Sequence, residues 1–250
     1  MNEVNGMVVV DRFLRTHGLV AADEVWVHGM WTPRKWIACL AAKVRGKKLV
    51  RMTHGSLSPV YLSRQGKWRK RLVAPIERLL FSFSDRIVTT GPWELAWCRA
   101  WGLQTHLECI DLRQFFHLAP VAARPSGKSP IHVLYLGRQH PLKGIEFLER
   151  AVCKANVATE LRIVSSAFGD ELEEAWCWCE VLVLPSLSEN FGLVVAEALE
   201  RGKFVVVSDG APAWSDLRPE QGIYLSGFCA AADSERVALL ARALERSLAS

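Results

Sequence analysis

The sequence has no acidic residue between Val25 and Ile76, no CxxC or HExxH spacing, and no Asp-x-Asp pair. Nor does any apolar run approach the roughly 18 to 20 residues that cross a bilayer. Its seven cysteines are an odd number without the spacing of a disulfide framework or a zinc site, so reduced and mostly buried thiols are expected. The start, Met1-Asn2-Glu3-Val4-Asn5, lacks a basic flank and an apolar h-region, and the expectation is a soluble chain made and kept in the cytoplasm. Glycine and proline, 17 and 11 of 250 residues, are too few for collagen-like or low-complexity chains. With 50% of residues hydrophobic and 23% charged, intrinsic disorder is excluded as well. What remains is one large or two small globular domains.

The acid-free stretch from Val25 to Ile76 holds twelve Lys or Arg, so the net charge of +5 hides a basic first third and a net acidic remainder. Such a face points to an anionic partner. Trp31, Trp36, Tyr61 and Trp68 are interleaved with the cations, a composition that suits a membrane interface, where rings sit beside phosphate headgroups. RNA would suit it too, and a solvated basic surface over core tryptophans is the plain alternative. The candidate acceptor or membrane face is Arg64, Lys67, Arg69, Lys70 and Arg71.

Short apolar runs alternate with segments of helical period. In the first half these are strands at 25–28, 48–53 and 86–90 and helices at 33–45, 67–83 and 92–101. The stretch 118–130 is rich in Pro, Ala, Ser and Gly and reads as a linker, placed at 121–130. Beyond it come strands at 131–136, 160–164, 181–184, 204–208 and 222–225 and helices at 143–155, 170–179, 191–201 and 232–248. The pattern predicts an α/β protein of two small Rossmann-like parallel-sheet domains, 1–120 and 131–250.

The segment from Val181 to Asp209 carries the strongest chemical signal. A buried strand stops at Pro185, a polar loop follows, and a helix opens near Phe191, so Ser186 to Asn190 lie at the carboxyl end of a parallel strand, where open α/β sheets bind ligands. The amides of Gly192 and Leu193 at the helix start favour a phosphate. Glu189 and Glu197 are eight positions apart, on the order of 12 Å along a helix, too far to grip one bond as an acid/base pair. They fit as hydroxyl acceptors on either side of a diphosphate.

This segment resembles the donor-binding signature of retaining GT-B glycosyltransferases, particularly glycosyltransferase family 4, with its Glu, seven residues, then Glu. His28-Gly29-Met30-Trp31, Thr53-His54-Gly55-Ser56-Leu57-Ser58-Pro59 and the Gly137-Arg138 to Lys143-Gly144 loop agree with that family in the same order. The resemblance covers roughly residues 24 to 225 with gaps, and the family's Gly-rich loop before the His-Gly-x-Trp element has no counterpart here. It implies two domains facing a cleft, the first holding the acceptor and the second a nucleoside diphosphate sugar, with no cofactor and no metal. It assigns Arg138 and Lys143 to the donor diphosphate, Glu189 to the transferred sugar, and Glu197, with Asn190 and Phe191, to sugar and ribose. His54 would line the donor sugar, and His54 and Glu189 would be the catalytic pair. Two permanent cations on a Gly-bounded loop stabilise a leaving diphosphate. The expected reaction transfers a sugar, with retention, to an anionic or lipid-linked acceptor such as a lipopolysaccharide core or another envelope glycan. An anionic membrane surface is the expected partner and nucleic acid is not. A non-catalytic sugar-nucleotide-binding relative is the alternative, and oligomeric state carries no signal.

Overall fold

The computed structural model describes residues 7–10, 23–63, 66–119 and 130–248. The chain divides into two compact units, Met1–Leu112 and Arg113–Ser250. All but Pro130 of the expected linker, and Arg64 of the expected basic face, lie outside the described residues. Residues 113–119 go with the second unit, where the Ala119 amide donates to the Leu199 carbonyl at 3.2 Å and the His117 amide to the Glu200 carboxylate at 3.0 Å.

The first unit is a parallel sheet in sequential order: β1 (Met7–Val10), β2 (Glu24–His28), β3 (Lys48–Met52), β4 (Arg86–Thr89) and β5 (Leu107–Cys109). Its helices are α1 (Pro33–Val44), α2 (Pro59–Ser63), α3 (Lys67–Ser82) and α4 (Pro92–Ala100). Helix α1 opens with Pro33, whose missing N–H costs nothing at a helix start, and it buries the small residues Ala38, Cys39 and Ala42 against Val25, Val27 and Leu49. Strands β1 and β5 and helix α2 are absent from the sequence reading. β5 has three residues, none of them buried, and α2 buries none of its five, so neither carries a usable period.

Under this layer sits a buried ion pair. Arg51, on β3, donates to the Glu77 carboxylate of α3 at 2.9 Å, and both side chains are fully buried. Glu77 also accepts from the Trp31 amide at 2.5 Å and the Trp36 indole at 2.9 Å. The Arg51 guanidinium lies 3.8 Å from the centroid of the Phe81 ring, while its Nε and Nη1 find no hydrogen-bond partner. Glu77 is thus fully engaged and Arg51 is not.

The second unit holds β6 (Ile131–Leu136), β7 (Thr159–Val164), β8 (Val181–Leu184), β9 (Phe204–Ser208) and β10 (Gly222–Leu225). All neighbours are parallel, in the order β10-β9-β8-β6-β7. Helices α5 (Ile145–Lys154), α6 (Asp170–Trp178), α7 (Leu193–Glu200) and α8 (Asp233–Leu248) connect and cover it. Strands β8 and β9 are buried at every position, which is why they read as unbroken apolar runs. One core packs Val133, Tyr135, Val183 and Val206 against Phe147 and Leu148 of α5 and Leu240 and Leu244 of α8. Two parallel α/β sheets with helical cover are therefore present, as the alternation predicts. Among the described residues no helix is long and apolar enough to cross a membrane.

Arg51→Met leaves the Glu77 carboxylate buried without its cation, which costs about 3 to 5 kcal/mol of stability. Urea unfolding of the variant measures this, and a loss below about 1 kcal/mol would contradict a structural role for the pair.

Candidate functional site

In the second unit the order of strands reverses at β6, which has β7 on one side and β8 on the other. The carboxyl ends of the strands at such a reversal are where open parallel sheets take ligands. The β6 loop runs from Gly137 into a single 3-10 turn, Pro141–Lys143, started by His140, whose Nδ1 accepts from the Leu142 amide at 3.1 Å. The β8 loop is tied to it, since the Leu187 amide donates to the Leu142 carbonyl at 2.8 Å. Gly144 closes the turn at φ 66°, and a Cβ there would stand 2.2 Å from the Pro185 carbonyl oxygen. Only glycine meets both demands.

These constraints bring Lys143 and Glu189 together. The Lys143 ammonium is ion-paired with Glu189 Oε2, which also accepts from the Ser186 hydroxyl at 3.3 Å. Both side chains are less than a fifth exposed, at 16% and 18%. The Glu189 amide is anchored to the Gly210 carbonyl at 2.8 Å, and the Ser208 hydroxyl donates to the Ser186 carbonyl at 2.5 Å. Tyr135, on β6, is buried beside them, and its hydroxyl donates to the Arg138 carbonyl at 3.1 Å. Burial, then the Glu189 charge, pushes the phenol up to about 12, with Arg138 opposing. Arg138 itself is exposed. The arrangement offers an ammonium for an anion and a carboxylate for hydroxyl groups, both partly desolvated, where such bonds are stronger than in water.

Helix α7 begins at Leu193 rather than near Phe191, because Gly192 takes a left-handed conformation at φ 78° and caps the helix. Glu189 is consequently on the loop, and a straight helical rise does not measure its separation from Glu197. The Phe191 ring is buried against Trp214, at 5.4 Å between centroids, and Phe116, at 5.9 Å. Its carbonyl accepts from the Trp214 indole at 2.7 Å, so Phe191 fixes the backbone that presents Asn190 and Gly192. Glu197, on α7, is half-buried, and its carboxylate forms no ion pair among the described residues. Its charged neighbours are Arg201, Glu200 and Glu173, a set distinct from the Lys143–Glu189 pair.

In the first unit His28, at the end of β2, and His54, just beyond β3, share a contact of 2.7 Å between Nδ1 and Nε2, with rings stacked at 4.8 Å. His54 and Trp31 both have positive φ, 48° and 69°, a strained conformation for such residues. Two buried carboxylates hold these segments. Glu77 grips the Trp31 amide, while Glu94 accepts from the Thr53 hydroxyl at 2.5 Å, the Gly55 amide at 2.6 Å, and the Thr90 amide and hydroxyl at 2.8 and 2.7 Å. Glu77, Glu94 and Tyr135 are missing from the sequence-derived site. The one available signal was that Glu77 is the first acid after the acid-free stretch. Among the described residues no cluster of three or more His, Cys, Asp or Glu could hold a metal ion.

Comparison with known proteins agrees with this architecture. Residues 3–110 match a glycosyl transferase 4-like domain, and residues 148–250 match glycosyl transferases group 1. A Klebsiella pneumoniae protein described as an uncharacterized 41.2 kDa protein in the cps region is 22% identical, over 76% of this chain and 61% of its own length. Sucrose-phosphate synthase from Thermosynechococcus elongatus superposes with a TM-score of 0.63 at 20% identity, over 92% of this chain and 65% of that one. Anabaena HepE in complex with UDP-glucose superposes with a TM-score of 0.62 at 14% identity, over 93% and 75%. The chain belongs to the glycosyltransferase family 4-like proteins of GT-B fold. It spans about three-fifths of the Klebsiella relative, 61%.

Burial raises the Glu197 carboxyl above its ordinary value of 4.5, Arg201 opposing and Glu200 and Glu173 adding to the rise. An acid with a raised folded pKa binds its proton more tightly in the native state, so its contribution is complete below 4.5 and is lost as pH rises through the folded value. Glu197→Gln is therefore expected to be at least as stable as the wild type at neutral pH and to lose part of the pH dependence just above 4.5. Melting temperature against pH reads both, and a variant less stable at pH 7 would show that burial does not penalise this charge.

Proposed function

We propose that the chain transfers a sugar from a nucleoside diphosphate sugar to an anionic or lipid-linked envelope glycan, such as a lipopolysaccharide core, with retention of configuration. The observation that carries this reading is the Lys143–Glu189 pair at the strand-order reversal of a GT-B protein. Lys143 and Arg138 balance the charge that the diphosphate gains as the glycosidic bond breaks, helped by the amides of Gly192 and Leu193 at the start of α7. Glu189 accepts hydroxyls of the transferred sugar and Glu197 those of the ribose, with Asn190 on the loop between them. His54 is assigned to the sugar being transferred. Attack occurs on the face the leaving group vacates, and the departing phosphate takes the acceptor proton. The acceptor class is argued from the acid-free basic stretch of the first unit, and the relative in the cps region of Klebsiella pneumoniae supports an envelope glycan.

Thermal stabilisation by UDP, GDP, ADP and CMP, alone and as sugar conjugates, tests the donor half. A ligand at about 100 times its Kd adds about 2.7 kcal/mol, several degrees for a protein of this size. One nucleotide is expected to shift the melt and Glu197→Gln to abolish the shift. No shift with any of them would refute the reading.

Arg138→Ala, at an exposed position, is expected to leave the melting temperature nearly unchanged, whereas Glu189→Gln leaves the largely buried Lys143 ammonium without its carboxylate and is expected to lower it; each is expected to lower transfer at least about tenfold, a loss of about 1.4 kcal/mol of transition-state stabilisation. Wild-type turnover by either variant would remove that residue from the site.

A further inference from the structure

One side chain ties the exit of β9 to the segment that follows β10. Asp209, directly after β9, is half-buried and accepts two amides of that segment, Gly227 through Oδ2 and Cys229 through Oδ1, each at 2.8 Å. Hydrogen bonds to an ionised acceptor are stronger than neutral ones, so this is a firm hold on a short stretch of backbone. Arg236, on α8, grips the same stretch from its carbonyl side, donating to Phe228 at 3.0 Å and to Cys229 at 2.8 Å. The Phe228 ring is fully buried, edge-on to Phe147 at 6.2 Å between centroids. Amides, carbonyls and the central side chain of Gly227–Cys229 are therefore all fixed.

The Cys229 thiol turns this fixed segment toward the β8 loop. It donates to the Leu187 carbonyl at 3.5 Å and lies 4.0 Å from the Ser186 carbonyl. Those two residues lead into Glu189, and the Ser186 hydroxyl donates to the Glu189 carboxylate itself. The exit of β9 closes on the same residues. The Ser208 hydroxyl holds the Ser186 carbonyl, the Gly210 carbonyl holds the Glu189 amide, and a Cβ at Gly210 would overlap the Ser186 carbonyl. The β8 loop therefore rests on two neighbouring exits, and Asp209 is the side chain that joins them.

We propose that Asp209 is a positioning residue of the donor site, which acts through Cys229 and Ser186 to hold Glu189 where it meets Lys143 and the hydroxyls of a bound sugar. Asp209 is not itself a ligand of the donor. Its loss frees the Gly227–Cys229 segment on the side away from α8, and the β8 loop then loses its support beneath Ser186 and Leu187. Because Glu189 addresses the sugar, the damage falls on sugar recognition more than on the nucleotide. The kinetic half of this inference rests on the proposed transfer reaction.

Two variants and two readouts test it. Asp209→Asn keeps the size of the side chain and one acceptor oxygen, and Asp209→Ala removes both acceptors. The first readout is affinity for UDP-glucose and for UDP, or for the corresponding pair of whichever base stabilises the wild type. Affinity for the nucleotide sugar is expected to fall at least about tenfold in Asp209→Ala, as for loss of a hydrogen bond to a charged group, with Asp209→Asn between it and the wild type. Affinity for the bare nucleotide is expected to change little. The second readout is alkylation by iodoacetamide, mapped by peptide, which follows local opening of the chain. Cys229 is expected to react faster in both variants while the buried Cys179 reacts as in the wild type. Equal losses for sugar conjugate and nucleotide, or Cys179 accelerated as much as Cys229, would show that Asp209 only supports the fold and would overturn the proposal. Variants that bind the nucleotide sugar like the wild type overturn it alone. A wild type that binds no nucleotide overturns the transfer reading, and this inference falls with it.

Discussion

The contact between Gly144 and the Pro185 carbonyl governs what the second unit can offer a ligand. β6 and β8 are neighbours at the point where the sheet reverses its order, and their exit loops pass close to each other. A side chain at 144 would fill the 2.2 Å approach, and the left-handed turn would be strained as well. With glycine there, the 3-10 turn delivers Lys143 onto the β8 loop, and the Leu187 and Glu189 amides lock that loop from both sides. The ion pair is a consequence of backbone geometry.

The first unit has no such reversal among its described strands, since its order is sequential. It positions polar groups by a different device, buried carboxylates beneath strained backbone. Glu77 and Glu94 each gather several donors from segments distant in sequence and hold Trp31 and His54 at positive φ. A buried carboxylate that accepts several hydrogen bonds is costly to displace, so the strain persists. One unit therefore builds its edge from topology and the other from side-chain anchors.

This difference decides what the sequence could reveal. The helices and strands of the second unit were legible because parallel strands buried on both faces read as apolar runs and the helices between them keep their period. Arg138, Lys143, Glu189 and Glu197 were legible as a spaced pattern, and the first unit's His28 and His54 as short motifs. Glu77 and Glu94 were not, because all of Glu77's partners and the Thr53 and Gly55 partners of Glu94 lie 26 to 46 residues away in sequence and nothing local marks a helix acid as buried. The start of α7 was misplaced by two residues because a left-handed Gly192 looks, in sequence, like a helix residue. The exposed apolar residues of α1 and α3 were hidden for a related reason. Helix α3 is apolar on two sides, at Leu80 and Phe81 and at Leu72 and Leu79, and only the packed structure shows which side the sheet takes.

Helix α3 also explains the missing acids. Its inner side places Glu77 against Arg51, Trp31 and Trp36, with no exposure to solvent. Its outer side carries Trp68, Leu72, Ile76 and Leu79 beside Lys67, Lys70 and Arg71. An Asp or Glu anywhere on the outer side would pair with those cations and cancel the field they present. The acid-free stretch ends at Glu77, whose charge is spent inward on the buried pair and adds nothing to the surface. A stretch shaped only by solubility would gain from mixed charge, because interspersed signs keep a surface hydrated without a single-sign field. The exclusion of acid from both helices, up to the one residue that folds inward, leaves a single-sign outer surface that the packing of the fold does not itself require.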